Sequence, residues 1–265
     1  MTKYLNKQIF TINSNERDFG THSDFSITLP LSSQEVNRIV VLDASIKRSF
    51  YLIEEGLNTF ELTELDETVT INVPQGNYNF NSFRIVLQNL LNTNSPKHWN
   101  YTVTIPNTSV SASTAKYTFT CVGGDPIFTF QNYLYEQFGF ASRSSVNFVG
   151  GSLISSFPVL FNKDTLHIHS DACYNGKDNI LQVVSASGAD FSSLKYVCLD
   201  VEANSKNIVK NTNTFRFMIV DEEHRPVTLT LNVIFTIMLY KHSDLVDRYQ
   251  EMSMEFMKYQ LLKNK

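Results

Sequence analysis

Two imidazoles and a carboxylate fall at alternate positions in TLHIHSDAC, residues 165 to 173. Side chains two apart on a strand share a face, so His167, His169 and Asp171 would project together if this stretch is extended. Two nitrogens and an oxygen so placed could hold a divalent metal ion. The structural alternative is an exposed polar strand face lying opposite Leu166 and Ile168.

A His-x-His strand is also the metal-binding strand of the cupins, whose pattern adds a carboxylate a few residues later, a downstream His and glycines at set distances. Here the carboxylate positions hold Cys173 and Tyr174, no Gly stands at the required distance, and His224 and His242 are too distant in sequence to be assigned. The polar-face reading is therefore taken, and no metal or other cofactor is expected. Other catalytic patterns are missing. There is no Gly-x-Ser-x-Gly elbow, no His-Glu-x-x-His helix and no phosphate-cradling loop, because VGGDP (122 to 126) and VGG (149 to 151) lack the Lys and the helix of a P-loop. The carboxylates of EEG and ELTELDE read as solvated loops. No enzyme is indicated.

The elements around these residues are strands. Alternation groups Phe25, Ile27 and Leu29 on one face of DFSITLP, Val40, Leu42, Ala44 and Ile46 on one face of NRIVVLDASIKRSFYLI, and Val69, Ile71 and Val73 on one face of ETVTINVP. YTVTIP, KYTFTCV, TLHIHS and TFRFMIV follow the same rule, with EEGLN, PQGN, VGGDP, YNGKDN and DEEHRP as the turns between. The strongest strand is VTLTLNVIFTIMLYK, apolar at every odd position from Val227 to Leu239, with even positions that begin polar (Thr228, Thr230, Asn232) and end mixed (Ile234, Thr236, Met238, Tyr240). Fifteen residues at about 3.4 Å each span roughly 50 Å, so a bulge or bend is expected there. Half-buried antiparallel strands without a βαβ rhythm predict an all-β sandwich of jelly-roll type.

Two helices interrupt this pattern. VPQGNYNFNSFRIVLQNLLN carries Phe83, Val86, Leu87, Leu90 and Leu91 as one apolar stripe, which predicts a helix over about 80–92. Asn79 or Asn81 is its cap, and with Asn79 as cap Tyr78 staples onto Phe83. It is expected to cover a rim of the sandwich. At the C-terminus, 243–265 reads as an amphipathic helix whose stripe of Leu245, Tyr249, Met252, Phe256 and Tyr259 either folds back or docks on another chain. Tyr249, Met252, Phe256 and Tyr259 are the candidate partner interface, because Met and Tyr suit interfaces. Residues 1–24 read as an arm with little periodicity, 25–242 as the jelly-roll domain, and about 95–160 as a candidate insertion.

Composition narrows the partners. The 265 residues carry a net charge of −4 and no Lys/Arg cluster, so direct nucleic-acid binding is disfavoured. Low charge with 20 Phe, 12 Tyr and many Asn, Ser and Thr gives a neutral surface that packs against partners at little desolvation cost. The longest apolar run, VIFTIMLY, is too short to span a bilayer, and MTKYLNKQIF lacks the apolar core of a secretory signal. A soluble protein of a reducing compartment is expected, with Cys121, Cys173 and Cys198 as core thiols.

Taken in order, FSITLP, NRIVVLDASIKRSFYLIEEGLNTFEL, TVTINVPQGNYNFNSFRIVLQNLLN, YTFTCVGGDPIFTF with EQFGF, and FRFMIVDEEHRPVTLTLNVIFTIMLYK resemble jelly-roll penton and minor capsid proteins of virophages, Polinton-like viruses and large DNA viruses. The resemblance implies a structural subunit of an icosahedral virion, made in the host cytoplasm or a viral factory. It implies a homo-oligomer, with a pentamer at a vertex the expected form, and contacts with the major capsid protein and other minor capsid proteins. The alternative weighed beside it is a lectin-like or receptor-binding module of a virion, for which YNGKDN is the candidate loop.

Overall fold

The computed structural model describes residues 4–32, 35–105, 115–158, 165–173, 179–185, 193–209, 212–242, 253–254, 256–257 and 259. Four strands come first: β1 (Tyr4–Asn13), β2 (Phe19–Gly20), β3 (Asp24–Thr28) and β4 (Arg38–Lys47). Then follow β5 (Thr59–Glu64), β6 (Glu67–Asn72), helix α1 (Phe80–Asn94), β7 (Asn100–Thr104), β8 (Thr118–Val122), β9 (Ile127–Thr129), α2 (Leu134–Phe138), β10 (Ser145–Asn147) and β11 (Ser152–Ile154). The chain continues through β12 (Thr165–Ser170), β13 (Ile180–Ser185), β14 (Ser193–Val197), α3 (Val201–Asn204), β15 (Lys206–Asn207), β16 (Thr214–Val220) and β17 (Val233–His242). Two compact units result, one from residues 1–50 with 164–265, the other from 51–163.

The first unit is a jelly roll by its strand order. Its sheet runs β1-β17-β4-β14-β13-β12-β16-β3-β2, with β15 beside β4, and every pairing is antiparallel. Labelling the eight main strands in chain order, the first half reads first, eighth, third, sixth, and the second half reads fifth, fourth, seventh, second. In element names these are β1-β17-β4-β14 and β13-β12-β16-β3, the interleaving of a jelly roll. Between the halves the sheet is held by one described pair, Ser185 with Lys195, and it curls so that both halves share a core. Phe217 of β16 meets Phe235 of β17 edge to face, ring centroids 5.0 Å apart, and Ile12, Phe25, Ile168, Phe217 and Ile237 lie in one buried cluster.

Residues 1–24 depart from the arm expected of them. β1 pairs along β17 from Tyr4 with His242 to Asn13 with Ile234, Ile12 is fully buried, and Ser14 Oγ accepts from Val233 N at 2.9 Å. The face expected along β4 is also corrected. Thr236 pairs with Asp43 and Ile237 with Val41, which leaves Leu42 as an extra residue. Such a bulge exchanges the faces of the flanking residues. Ile39 and Val41 therefore join Ala44 and Ile46 in the core, while Val40 and Leu42 pack with Met238 and Tyr240 in a separate cluster on the other side. The irregularity expected in the last strand is thus carried by its neighbour. β17 itself is shorter than the sequence suggests, and Val227 to Asn232 approach it as irregular chain. Its odd positions from Val233 to Leu239 are buried, and of the even ones Met238 and Tyr240 are buried while Ile234 is exposed.

The second unit has two small antiparallel sheets, β10-β9-β5-β6 and β11-β8-β7. Phe60 of β5, Phe119 of β8 and Phe138 of α2 meet between them, with centroids 4.9 Å apart for Phe60–Phe138 and 5.9 Å for Phe119–Phe138. The unit extends well N-terminal of the 95–160 read as an insertion, and it includes α1. Its local design follows the sequence: Asn79 caps Ser82 N at 2.8 Å, Ser82 Oγ accepts from Asn79 N, and Tyr78 packs on Phe83 at 5.5 Å. What the helix does is cover an edge. On β7, Gln88 accepts from Val103 N, Asn92 bonds both Tyr101 N and Tyr101 O, and Arg84 donates to Val103 O. Backbone groups that would otherwise template another strand are satisfied.

The pair Gly123 and Gly124 of VGGDP also has a structural reason. A Cβ on Gly123, whose φ is +152°, would stand 2.4 Å from the Trp99 ring, and one on Gly124 would stand 2.6 Å from it. The glycines let the indole lie on the backbone. Nearby, the fully buried Glu64 accepts from Ser95 Oγ (2.7 and 2.9 Å), Lys97 N (2.8 Å) and Tyr101 Oη (2.6 Å). Burial, with the Glu64 contact, pushes the Tyr101 hydroxyl well above its usual range, so it stays a donor. Glu64→Gln turns one acceptor oxygen into a donor that faces donors. The expected loss is about 1–3 kcal/mol, measured by urea unfolding followed through Trp99, whose amide donates to the same Ser95 Oγ at 2.7 Å.

Candidate functional site

The chemistry-bearing residues of the jelly roll gather where β12 meets the turn between β16 and β17. In β12 the alternation holds: Leu166 and Ile168 are fully buried in the core, so His167 and His169 face away from it. The two rings lie nearly parallel, 12° apart with centroids at 6.3 Å. They are not an exposed polar face, since His169 is only 8% exposed and His167 is half-buried.

Asp171 does not join them. β12 ends at Ser170, whose Oγ accepts from Ala172 N and whose carbonyl accepts from Cys173 N, so the chain turns before the alternation reaches the carboxylate. Asp171 Oδ1 accepts from Arg216 N at 2.9 Å, and Asp171 N donates to Arg216 O at 3.2 Å, which ties the turn to β16. Its part is structural.

The third member is His224. Its Nδ1 lies 3.3 Å from His169 Nε2, its ring centroid lies 5.6 Å from that of His167 and 5.3 Å from that of His169, and one ligand atom from each of the three imidazoles lies within 4.8 Å of the others. The turn that delivers it is tightly made. His224 N donates to Asp221 O and Asp221 N to Arg225 O, both at 3.0 Å. The buried Asp221 carboxylate accepts from Glu223 N, Arg225 N and Arg225 Nε. Arg225 also pairs with Glu223 at 2.6 Å, so its charge is offset locally.

His224 closes the turn at φ +61°. This is the left-handed position of a three-residue hairpin loop, ordinarily given to Gly or Asn, and a residue with a Cβ there costs on the order of 1 kcal/mol. The sequence hint was DEEHRP, a turn without a glycine.

Phe256 and Tyr259 are helical, and 64% and 60% exposed; Tyr249 and Met252 lie outside the described residues, as do 174–178 of YNGKDN. Cys121 and Cys173 are buried and Cys198 half-buried, all as free thiols. Burial pushes the Cys173 thiol up to about 11, which keeps it protonated and unreactive. Among the described residues no helix is long and apolar enough to cross a membrane.

No protein-family model matches the chain, and no curated protein does. Among solved structures, the chain is similar to the crystal structure of the mavirus penton protein at 12% identity, over 89% of this chain and 99% of that one, with a TM-score of 0.43. It is also similar to the D1-D2-D3 domains of the flagellar cap protein FliD from Escherichia coli at 11% identity, over 87% of this chain and 58% of that one, with a TM-score of 0.17.

Proposed function

We propose that this chain is a structural subunit of an icosahedral viral capsid, a penton or other minor jelly-roll protein that acts by self-association and by contacts with the major capsid protein. The observation that carries the reading is the jelly-roll strand order with a compact second unit inserted in sequence between its third and fourth main strands, β4 and β12. A fold alone does not assign a function; the ordered sequence motifs that resemble penton and minor capsid proteins supply the class. The surface is in keeping with it. Ile9 on β1, Val197 on β14 and Ile234 on β17 are exposed on the β1-β17-β4-β14 half, at 50%, 67% and 39%. With Phe256 and Tyr259, they offer apolar area that association with copies or neighbours would bury. Net charge of −4 leaves the nucleic-acid backbone an unsuitable partner.

The test is the native mass of the full chain, by light scattering after size exclusion. A closed oligomer is expected, a pentamer of the 30.3 kDa chain for the vertex role, and Phe256→Asp with Tyr259→Asp is expected to shift it towards monomer. A protein that stays monomeric and does not co-assemble with capsid shells overturns the proposal.

A further inference from the structure

We propose that His167, His169 and His224 form a three-imidazole site for a divalent transition-metal ion of the zinc class, with the remaining coordination position open to solvent. The geometry is close to that of a loaded site. Four ligands set tetrahedrally at about 2.0–2.1 Å from a zinc ion stand about 3.3–3.4 Å from one another, and His224 Nδ1 and His169 Nε2 are 3.3 Å apart. The third nitrogen lies within 4.8 Å, a gap that rotation of the exposed His224 side chain closes. Three imidazoles select zinc, cobalt, nickel or copper over calcium or magnesium, which require oxygen ligands.

The site is built, not a chance meeting of rings on a surface. His169 and His167 come from one face of a strand whose other face is core, so their spacing is set by the pleat. His224 is held opposite them in a left-handed conformation by a turn whose buried carboxylate, Asp221, is saturated with hydrogen bonds. Strain kept at a position where Gly would relax it points to a use for the side chain. The imidazoles also lie on the outer side of β12, so an ion reaches them without opening the core. Bound there, it cross-links the β16–β17 turn to β12 and stabilises the jelly roll by mass action. The inference is independent of the capsid reading, because it concerns one chain.

Cobalt(II) chloride titrated into tag-free, metal-stripped full-length protein gives a direct readout. Saturable binding of one ion per chain with a visible tetrahedral ligand-field band is expected, reversed by zinc chloride, and zinc is expected to raise the Tm. His224→Gly removes a ligand while relieving the left-handed strain, so it should fold at least as well without metal, yet lose the band and bind zinc about tenfold or more weakly. His169→Gln should act alike on binding. Wild-type protein with neither band nor zinc-dependent Tm, or binding unchanged in His224→Gly, overturns the proposal and leaves His169 and His224 as a hydrogen-bonded pair.

Discussion

Phe138→Ala is expected to destabilise the 51–163 unit by about 3–5 kcal/mol, the range for removing a large buried aromatic side chain. Phe138 is fully buried, and its ring stands 4.9 to 5.9 Å from those of Phe60, Phe83, Phe119, Phe128 and Phe130. Four of these contacts are edge to face, and that with Phe119 is stacked, so the ring contributes oriented quadrupole contacts as well as burial. Collapse into the space is hindered because the neighbours belong to both sheets and to α1, and each has its own partners. The cavity term should therefore persist. Trp99, the single tryptophan, lies in this unit and packs against the same cluster, so its fluorescence in urea reads the loss directly. Phe138→Leu, which keeps most of the volume, should lose clearly less. Equal midpoints for Phe138→Ala and the wild type would mean that the aromatic cluster is not the core of the unit.

The same cluster shows what the sequence reveals and what it hides. α1 was legible to the cap and the staple because its signals lie within a few residues of one another: Asn79 with Ser82, Tyr78 with Phe83, and a stripe of which Phe83, Leu87 and Leu91 are fully buried. Its neighbourhood was not. Alternation says that one face of a strand is covered and is silent on what covers it, so nothing local marks β7 of the second unit as the strand that α1 bonds. The boundary of that unit was hidden for the same reason, since β5 and β6 alternate as the jelly-roll strands do. β4 shows a finer limit. A single extra residue at Leu42 exchanges the faces of Val40 and Val41, and nothing in an unbroken apolar run marks the place.

The His cluster divides along the same line. The His167–His169 pair was legible because two residues on one strand face need only local alternation. Asp171 was misplaced by extending the alternation one step past the end of β12. His224 is 55 residues from His169, and it comes into reach only because β16 pairs with β12, with His167 opposite Val220 at the start of the turn. Strand pairing is a property of the whole sheet, and it is the step a lone sequence does not supply.

Ile12→Asp is expected to cost more than about 4 kcal/mol and to leave the jelly roll unfolded or aggregated, while Thr11→Asp, one residue away, should stay within about 0.5 kcal/mol of wild type. The contrast follows from the pleat of β1. Ile12 is fully buried and Thr11 exposed, and Phe10 also packs against the core. An ionised carboxylate at position 12 would face Ile237, Phe235 and their neighbours in that cluster without a partner. The strand escaped its sequence because its alternation is blurred at both faces: Gln8 occupies an inward place, with its Oε1 accepting from Ser32 N at 3.0 Å, and Ile9 points outward, 50% exposed. An arm ordered only against a neighbour would tolerate both substitutions alike in the isolated protein. Thermal unfolding of the two variants therefore separates a strand that completes the sheet from a tail that waits for a partner. With β1 displaced, the ten residues of β17 would become an open edge, and unpaired edges of that length associate with other chains. Loss of Ile12 should accordingly appear as concentration-dependent aggregation as well as a lower Tm, and Thr11→Asp should show neither.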